Sequence, residues 1–284
     1  MGFPESWQLP LTGWINDATD WIVIHWGDFF DAISNALLQV MIRIEDVLLW
    51  LPWFVVIILV GLAGWWLTKR WYLGLIFGGL LMLIGSLGLW EDAGTTLALV
   101  IVSVILSLII GIPTGILMAQ SSRFESVIKP VLDTMQTLPP FVYLVPALLL
   151  LGLGLVPAVF ATVIYAAPPV TRLTNTGLRQ VSESAIEAAR AFGATRRQIL
   201  LDVQIPLAVP TILVGINQTT MMALAMVVIA ALIGAGGLGL EVYQGLQRLD
   251  IGRAFAAGIS IVFLAIIIDR LTNAFASRQQ EKRR

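Results

Sequence analysis

Long uncharged stretches alternate with short charged ones along most of this chain. A helix rises about 1.5 Å per residue, so roughly 20 apolar residues cross the hydrocarbon core of a bilayer. Residues 95–119 meet that demand most clearly, with no charge in 25 positions and 14 Leu, Ile or Val. At roughly −0.3 to −0.6 kcal/mol each near a helix centre, these favour insertion by about 4–8 kcal/mol, more than Ser103, Ser107 and Thr114 cost. The same pattern predicts spans over residues 51–68, 71–89, 141–151, 155–170, 206–234 and 251–268, about seven in all. The fourth is short: Pro139, Pro140 and Pro146 make its start irregular, and Gly152 and Gly154 break its end.

The first 50 residues differ. Ile15, Ala18, Ile22, Trp26, Phe29, Ile33, Leu37, Val40 and Ile44 recur with helical period. So do Asp17, Asp20, Asp28, Asp31, Asn35, Gln39, Arg43 and Asp46, and two such stripes mark an amphipathic helix. Those aspartates are expensive in lipid, so the helix is expected along the outer membrane surface or packed on the spans, rather than as an extra crossing.

Composition agrees with an all-α polytopic membrane protein. The 284 residues are 58% hydrophobic and 12% charged, about half the soluble share of roughly 25%. A net charge of −1 gives no bias toward nucleic acid, and the absence of Cys excludes disulfides and thiolate chemistry. The one His cannot build a His-rich metal site, and no cofactor is expected. No basic stretch precedes an apolar run at the N-terminus, so a cleaved signal peptide is not expected. Positive charge sets direction. With seven spans and a cytoplasmic C-terminus, 14 of the 17 basic residues fall inside, leaving Arg43, Arg248 and Arg253 outside. The N-terminus is then extracytoplasmic.

The stretch from Arg172 to Pro206 carries eight charges and cannot span. It nevertheless has helical punctuation. Ser184-Ala-Ile-Glu187 fits a capping box, and Gly193 stands where a helix end wants a left-handed residue. Thr195-Arg-Arg-Gln198 fits a second capping box, whose helix Pro206 is expected to end while opening the next span. A rigid helix–turn–helix knob between two spans is predicted.

Glu187-Ala188-Ala189, then Gly193, then Val203-Gln204-Ile205-Pro206, resembles the E-A-A-x3-G-x9-I-x-L-P signature of binding-protein-dependent ABC importer permeases, with Val203 and Ile205 as conservative departures. The resemblance covers roughly residues 94–274. Met135-Gln-Thr-Leu-Pro139, Pro168-Pro169-Val-Thr-Arg172 and Gly234-Ala-Gly-Gly-Leu-Gly239 resemble, more narrowly, the glycine betaine, proline betaine and choline permeases. What the resemblance implies is a type I importer core at 94–274, with a coupling knob at 182–206. Before it stand an extracytoplasmic segment at 1–50 and two peripheral spans at 51–93, and after it a basic cytoplasmic tail at 275–284. Glu187, Ala188, Ala189, Gly193, Ile205 and Pro206 would couple the permease to an ATPase. The implied partners are a cytoplasmic ABC ATPase dimer, an extracytoplasmic binding protein and a second permease copy. The implied location is a bacterial inner membrane. A bulky residue at Gly193 is expected to leave the fold intact and uncouple transport. Glu187 and Gly193 have plainer readings too, as a helix cap and a helix stop.

Other signals carry less. Gly234–Gly239 spells G-x-G-x-x-G, but no strand precedes it, so a flexible outer turn is expected rather than a nucleotide site. The knob's spacing also fits a DNA-binding helix–turn–helix, yet no third helix supports it. No phosphate-loop lysine exists, since the lysines are Lys69, Lys129 and Lys282, so the chain is no ATPase and no enzyme. All ten Trp lie at or before Trp90, and those at span ends read as an interfacial belt rather than a cage for a cation. Asn217 and Gln218, with Tyr143 and Tyr165, are candidates to line a pathway or to bond between helices. Asp269-Arg270 reads as an ion pair. The competing class, an ion-gradient-driven secondary transporter, favours inverted repeats and mid-span acids, and neither is evident.

Overall fold

The computed structural model describes residues 11–281, leaving residues 1–10 of the N-terminal segment and Lys282, Arg283 and Arg284 of the basic tail outside the described residues. Within that range every regular element is helical. In order they are α1 (Leu11–Trp50), α2 (Trp53–Thr68), α3 (Trp71–Ser86), α4 (Trp90–Gln120), α5 (Ser122–Thr137), α6 (Leu144–Leu151), α7 (Leu155–Arg179), α8 (Glu183–Ala191), α9 (Arg196–Gln198), α10 (Ile205–Ala230), α11 (Leu238–Gln247) and α12 (Ile251–Glu281).

Among the described residues, four helices are long and apolar enough to cross a membrane: Trp90–Gln120, Leu155–Arg179, Arg196–Ile233 and Ile251–Arg278. Two bent pairs bring the number to six: α1 with α2, at 92°, and α5 with the Pro140–Leu151 segment, at 109°. α3 is apolar but shorter. The span expected at 141–151 is a 3-10 turn, Pro140–Tyr143, followed by the eight-residue α6. Eight residues reach about 12 Å, too little to cross alone. It forms a bent pair with α5, a charged helix not expected from the sequence.

α7 is the central strut. Its most apolar window is 67% buried inside the chain, against 22% for the windows of the last two long helices. One core joins α4, α6, α7 and α10 through Leu99, Val102, Leu144, Val159, Ala166 and Met226. A second joins α3 and α12 through Phe77, Ile84 and Leu264, with α2 against it. The 40-residue α1 packs on the body through residues in its C-terminal half. There Met41 is buried, Leu37 and Ile44 pack on the first core, and Thr95 donates to Glu45.

The prolines of α7 do not end it. α7 runs through Pro168 and Pro169 to Arg179, nine residues past the expected end at 170. Transmembrane helices tolerate proline where neighbouring helices hold the chain.

Candidate functional site

The knob stands between α7 and α10. α8 begins at Glu183 with Ser182 at its N-cap, so the box expected from Ser184 and Glu187 is not formed. Its end is a full Schellman motif. The Gly193 N–H donates to the Arg190 carbonyl and the Ala194 N–H to the Ala189 carbonyl. Gly193 has φ +82°, a conformation costing other L-residues about 1–2 kcal/mol. The second capping box forms as read, with Thr195 Oγ1 accepting from the Gln198 amide and Gln198 reaching back to the Thr195 N–H.

Pro206 does not end the second helix. Residues Ile199–Gln204 form a π-turn that passes straight into α10, and the Ile205 N–H bonds the Leu200 carbonyl five residues back. Proline has no N–H to close the usual bond to residue 202, and the wider turn carries the helix past that defect. The knob's second helix and α10 therefore form one rod, Arg196–Ile233, to which α8 is joined by the Gly193 turn.

The signature residues divide by exposure. Glu187, Ala188 and Gly193 are exposed, Ala189 and Pro206 are half-buried, and no residue of α8 is buried. Ile205 packs on the core of Leu178, Ala208 and Ile212. Phe192, at the knob's tip, is 92% exposed, a residue the sequence reading did not single out.

Charged pairs fasten the same end of the bundle. Arg179 bridges Glu125 at 2.8 Å and donates to the Met118 carbonyl, while Asn175 donates to Glu125. Arg172 pairs with Asp133. These bonds tie α5 to the ends of α4 and α7.

Within the spans the four pathway candidates separate. Asn217 donates to Asp269 at 3.0 Å and accepts from Thr272 at 2.6 Å, joining α10 to α12. Asp269 also accepts from Asn273, while Arg270 stands 3.9 Å away, so the expected ion pair is the weaker contact. The Tyr143 hydroxyl donates to the Met135 carbonyl, and Tyr165 packs beside it in the first core. Gln218 is exposed on the surface of the chain, on a face shared with Val214, Ala225 and Val228. Replacing Asn217 with leucine strands the Asp269 carboxylate without one donor. The expected cost is about 1–2 kcal/mol in thermal unfolding, with substrate KM unchanged if the residue only joins helices. A shifted KM would return it to the pathway.

At the far end, the glycine-rich corner is packed rather than flexible. Ala235 and Leu238 are fully buried, and the Leu238 N–H donates to Thr96. Gly237 has φ +77°, and a Cβ there would sit 2.5 Å from Thr96 Oγ1. Beside it Arg253 grips Glu241 with two bonds of 2.5 and 2.7 Å, which hold the carboxyl below the usual glutamate range. Of the Trp side chains at helix ends, Trp50, Trp53, Trp65, Trp66 and Trp71 are exposed, while Trp90 is half-buried against the second core.

Residues 111–281 match the family described as binding-protein-dependent transport system inner membrane component. The glycine betaine/proline betaine transport system permease protein ProW of Escherichia coli is 45% identical over 278 residues, covering 97% of this chain and 78% of that one. The glycine betaine/carnitine transport permease protein GbuB of Listeria monocytogenes is 46% identical over 98% of this chain and 100% of its own length. Among solved structures, a chain of the MetNI methionine ABC transporter in an inward-facing conformation matches with a TM-score of 0.58 at 25% identity, over 65% of this chain and 93% of that one. Fold and knob thus define a multi-pass ABC importer permease, a transport subunit and not a catalyst. The chain belongs to the binding-protein-dependent inner membrane components, which work with a separate ATPase and a substrate-binding protein.

Proposed function

We propose that this permease imports quaternary ammonium compatible solutes such as glycine betaine, proline betaine or choline. The substrate class is supported by the relatives that share nearly the whole chain. The observation that carries the mechanism is the unbroken helix from knob to span. The knob lies on the cytoplasmic side with the C-terminus, and the N-terminus lies outside, as the basic residues favour. An ATPase dimer seats α8 through Glu187, Ala188, Ala189 and Gly193, while Ile205 and Pro206 fix the knob to its span. When the ATPases close, the knob moves and α10 moves with it as a lever.

The pathway lies at the face of α10 that carries Gln218. An exposed amide in mid-membrane is expensive against lipid, so a second copy or a water-filled passage covers it. A homodimer built across this face places one Gln218 on each side of the path, with Tyr143 and Tyr165 as further candidates to line it. α1 lies outside the membrane-spanning core and α2–α3 lie at its edge.

The test is uptake of radiolabelled glycine betaine and choline into vesicles holding this chain, its ATPase and its binding protein. Uptake that vanishes without ATP is the expected result. Uptake that survives without ATP and collapses with the ion gradient would replace the importer reading with a secondary transporter.

A further inference from the structure

Behind the knob, between α8, the π-turn and the end of α4, lies a cleft of about 570 Å³. Arg190, Arg196 and Arg197 line it, together with Gln120 and Gln204, over the buried side chain of Ile199. Among the described residues none of these three guanidiniums has a carboxylate within 4.0 Å. Three like charges around one cleft repel each other, and an anion among them removes that cost. Guanidinium forks match phosphate geometry in particular.

Place decides which anion. Gln120 is the last residue of α4 and Gln204 the residue before α10, so the cleft opens where two spans leave the hydrocarbon. That is headgroup depth. The cytoplasmic leaflet is negatively charged, and basic pockets at the ends of spans bind anionic headgroups. The floor is apolar, as a glycerol and upper acyl chain require. Of the surface offered to the ATPase, Ala188 and Phe192 point elsewhere, while Glu187, three positions before Arg190, borders the cleft's side of the helix. Positions two apart on a helix diverge by about 200°, so Arg190 faces the cleft while Ala188 and Phe192 face away.

We propose that this cleft binds the phosphate headgroup of an anionic phospholipid from the cytoplasmic leaflet, wedging the knob against the membrane surface. The lipid gives the lever a fixed seat at its base, between the rod and α4. The inference rests on the cytoplasmic placement of the knob.

The test uses the full chain in complex with its ATPase, in nanodiscs of equal phosphatidylglycerol and phosphatidylethanolamine. Native mass spectrometry then counts retained lipid. The wild type should retain phosphatidylglycerol preferentially. The triple variant R190Q/R196Q/R197Q should lose it by about fivefold per charge, on the order of 100-fold in all. Lysine at the same three positions should restore part of the binding. Unchanged circular dichroism and melting show that the triple variant is folded. Equal retention of both lipids by the wild type, or equal phosphatidylglycerol in wild type and triple variant, would overturn the proposal. So would full displacement by millimolar inorganic phosphate, which marks a free-anion site. Carbodiimide crosslinks from lysines placed at these three positions to ATPase carboxylates, with lipid lost when the ATPase docks, would overturn it in favour of a protein contact. A cysteine at Ala191 labelled only from outside would sink the orientation itself, a failure separable from the loss of lipid alone.

Discussion

Replacing Phe192 with alanine is expected to cut ATP-dependent uptake at least tenfold while leaving the permease folded. The ring is 92% exposed and no α8 residue is buried, so its removal costs the isolated chain almost nothing. An exposed aromatic at the tip of a rigid projection has the character of an interface anchor, and such anchors are worth roughly 2 kcal/mol or more in the assembled complex. That corresponds to about 30-fold in affinity. The measurements are uptake, co-purification of the ATPase, and thermal unfolding of the permease alone. Normal uptake with normal ATPase retention would remove Phe192 from the interface. Gly193 is a less clean probe than the sequence suggested. A Cβ there meets nothing within 4 Å, but the positive φ charges any side chain a backbone cost before docking begins. Loss of transport at Gly193 would mix a distorted knob with a blocked contact.

The largest loss of stability is expected at Gly115. It stands four residues after Gly111, a spacing that lets two transmembrane helices approach closely. A Cβ on Gly115 would lie 2.6 Å from the Thr171 carbonyl oxygen, and one on Gly111 would lie 2.6 Å from Val170 Cγ1. The first of these neighbours is backbone and cannot rotate away. Gly115→Leu must force α4 from α7, the most buried helix of the bundle, at a cost of about 3 kcal/mol or more. The expected result is aggregation or sharply lowered melting in detergent. Gly79→Ala is the control, since a Cβ there meets nothing within 4 Å. It should leave stability unchanged or raise it by about 0.5–1 kcal/mol. A Gly115→Leu variant that melts like the wild type would show that α4 and α7 can separate freely.

The local parts of the knob were legible because their causes are local. Thr195 and Gln198 are three residues apart and satisfy each other's backbone, and Gly193 ends its helix through bonds reaching no further than five residues. Pro206, expected to end the knob's second helix, does not, because the π-turn before it carries the backbone past the missing N–H. α5 was missed because Arg123, Glu125, Lys129 and Asp133 gave it the look of a loop. Phe124, Ile128, Leu132 and Met135 carried the helical period all along. Two of its acids are answered by Arg172 and Arg179 from α7, partners 39 and more positions away.

The sequence by itself determined that this chain lives in a bilayer, which of its segments are apolar, and where a charged knob must interrupt them. Hydrocarbon thickness and the cost of burying charge act on each segment separately, so composition is enough. Only the tertiary structure decided that α7 is the central strut, that the short 144–151 helix pairs with α5 across a sharp bend, and that the knob's second helix is one rod with α10. Only it showed Asn217 engaged with Asp269 across 52 positions while the neighbouring Gln218 remains exposed. Such facts depend on which distant groups meet, and a bond between α10 and α12 leaves no periodicity in either helix for a reader of the sequence to find.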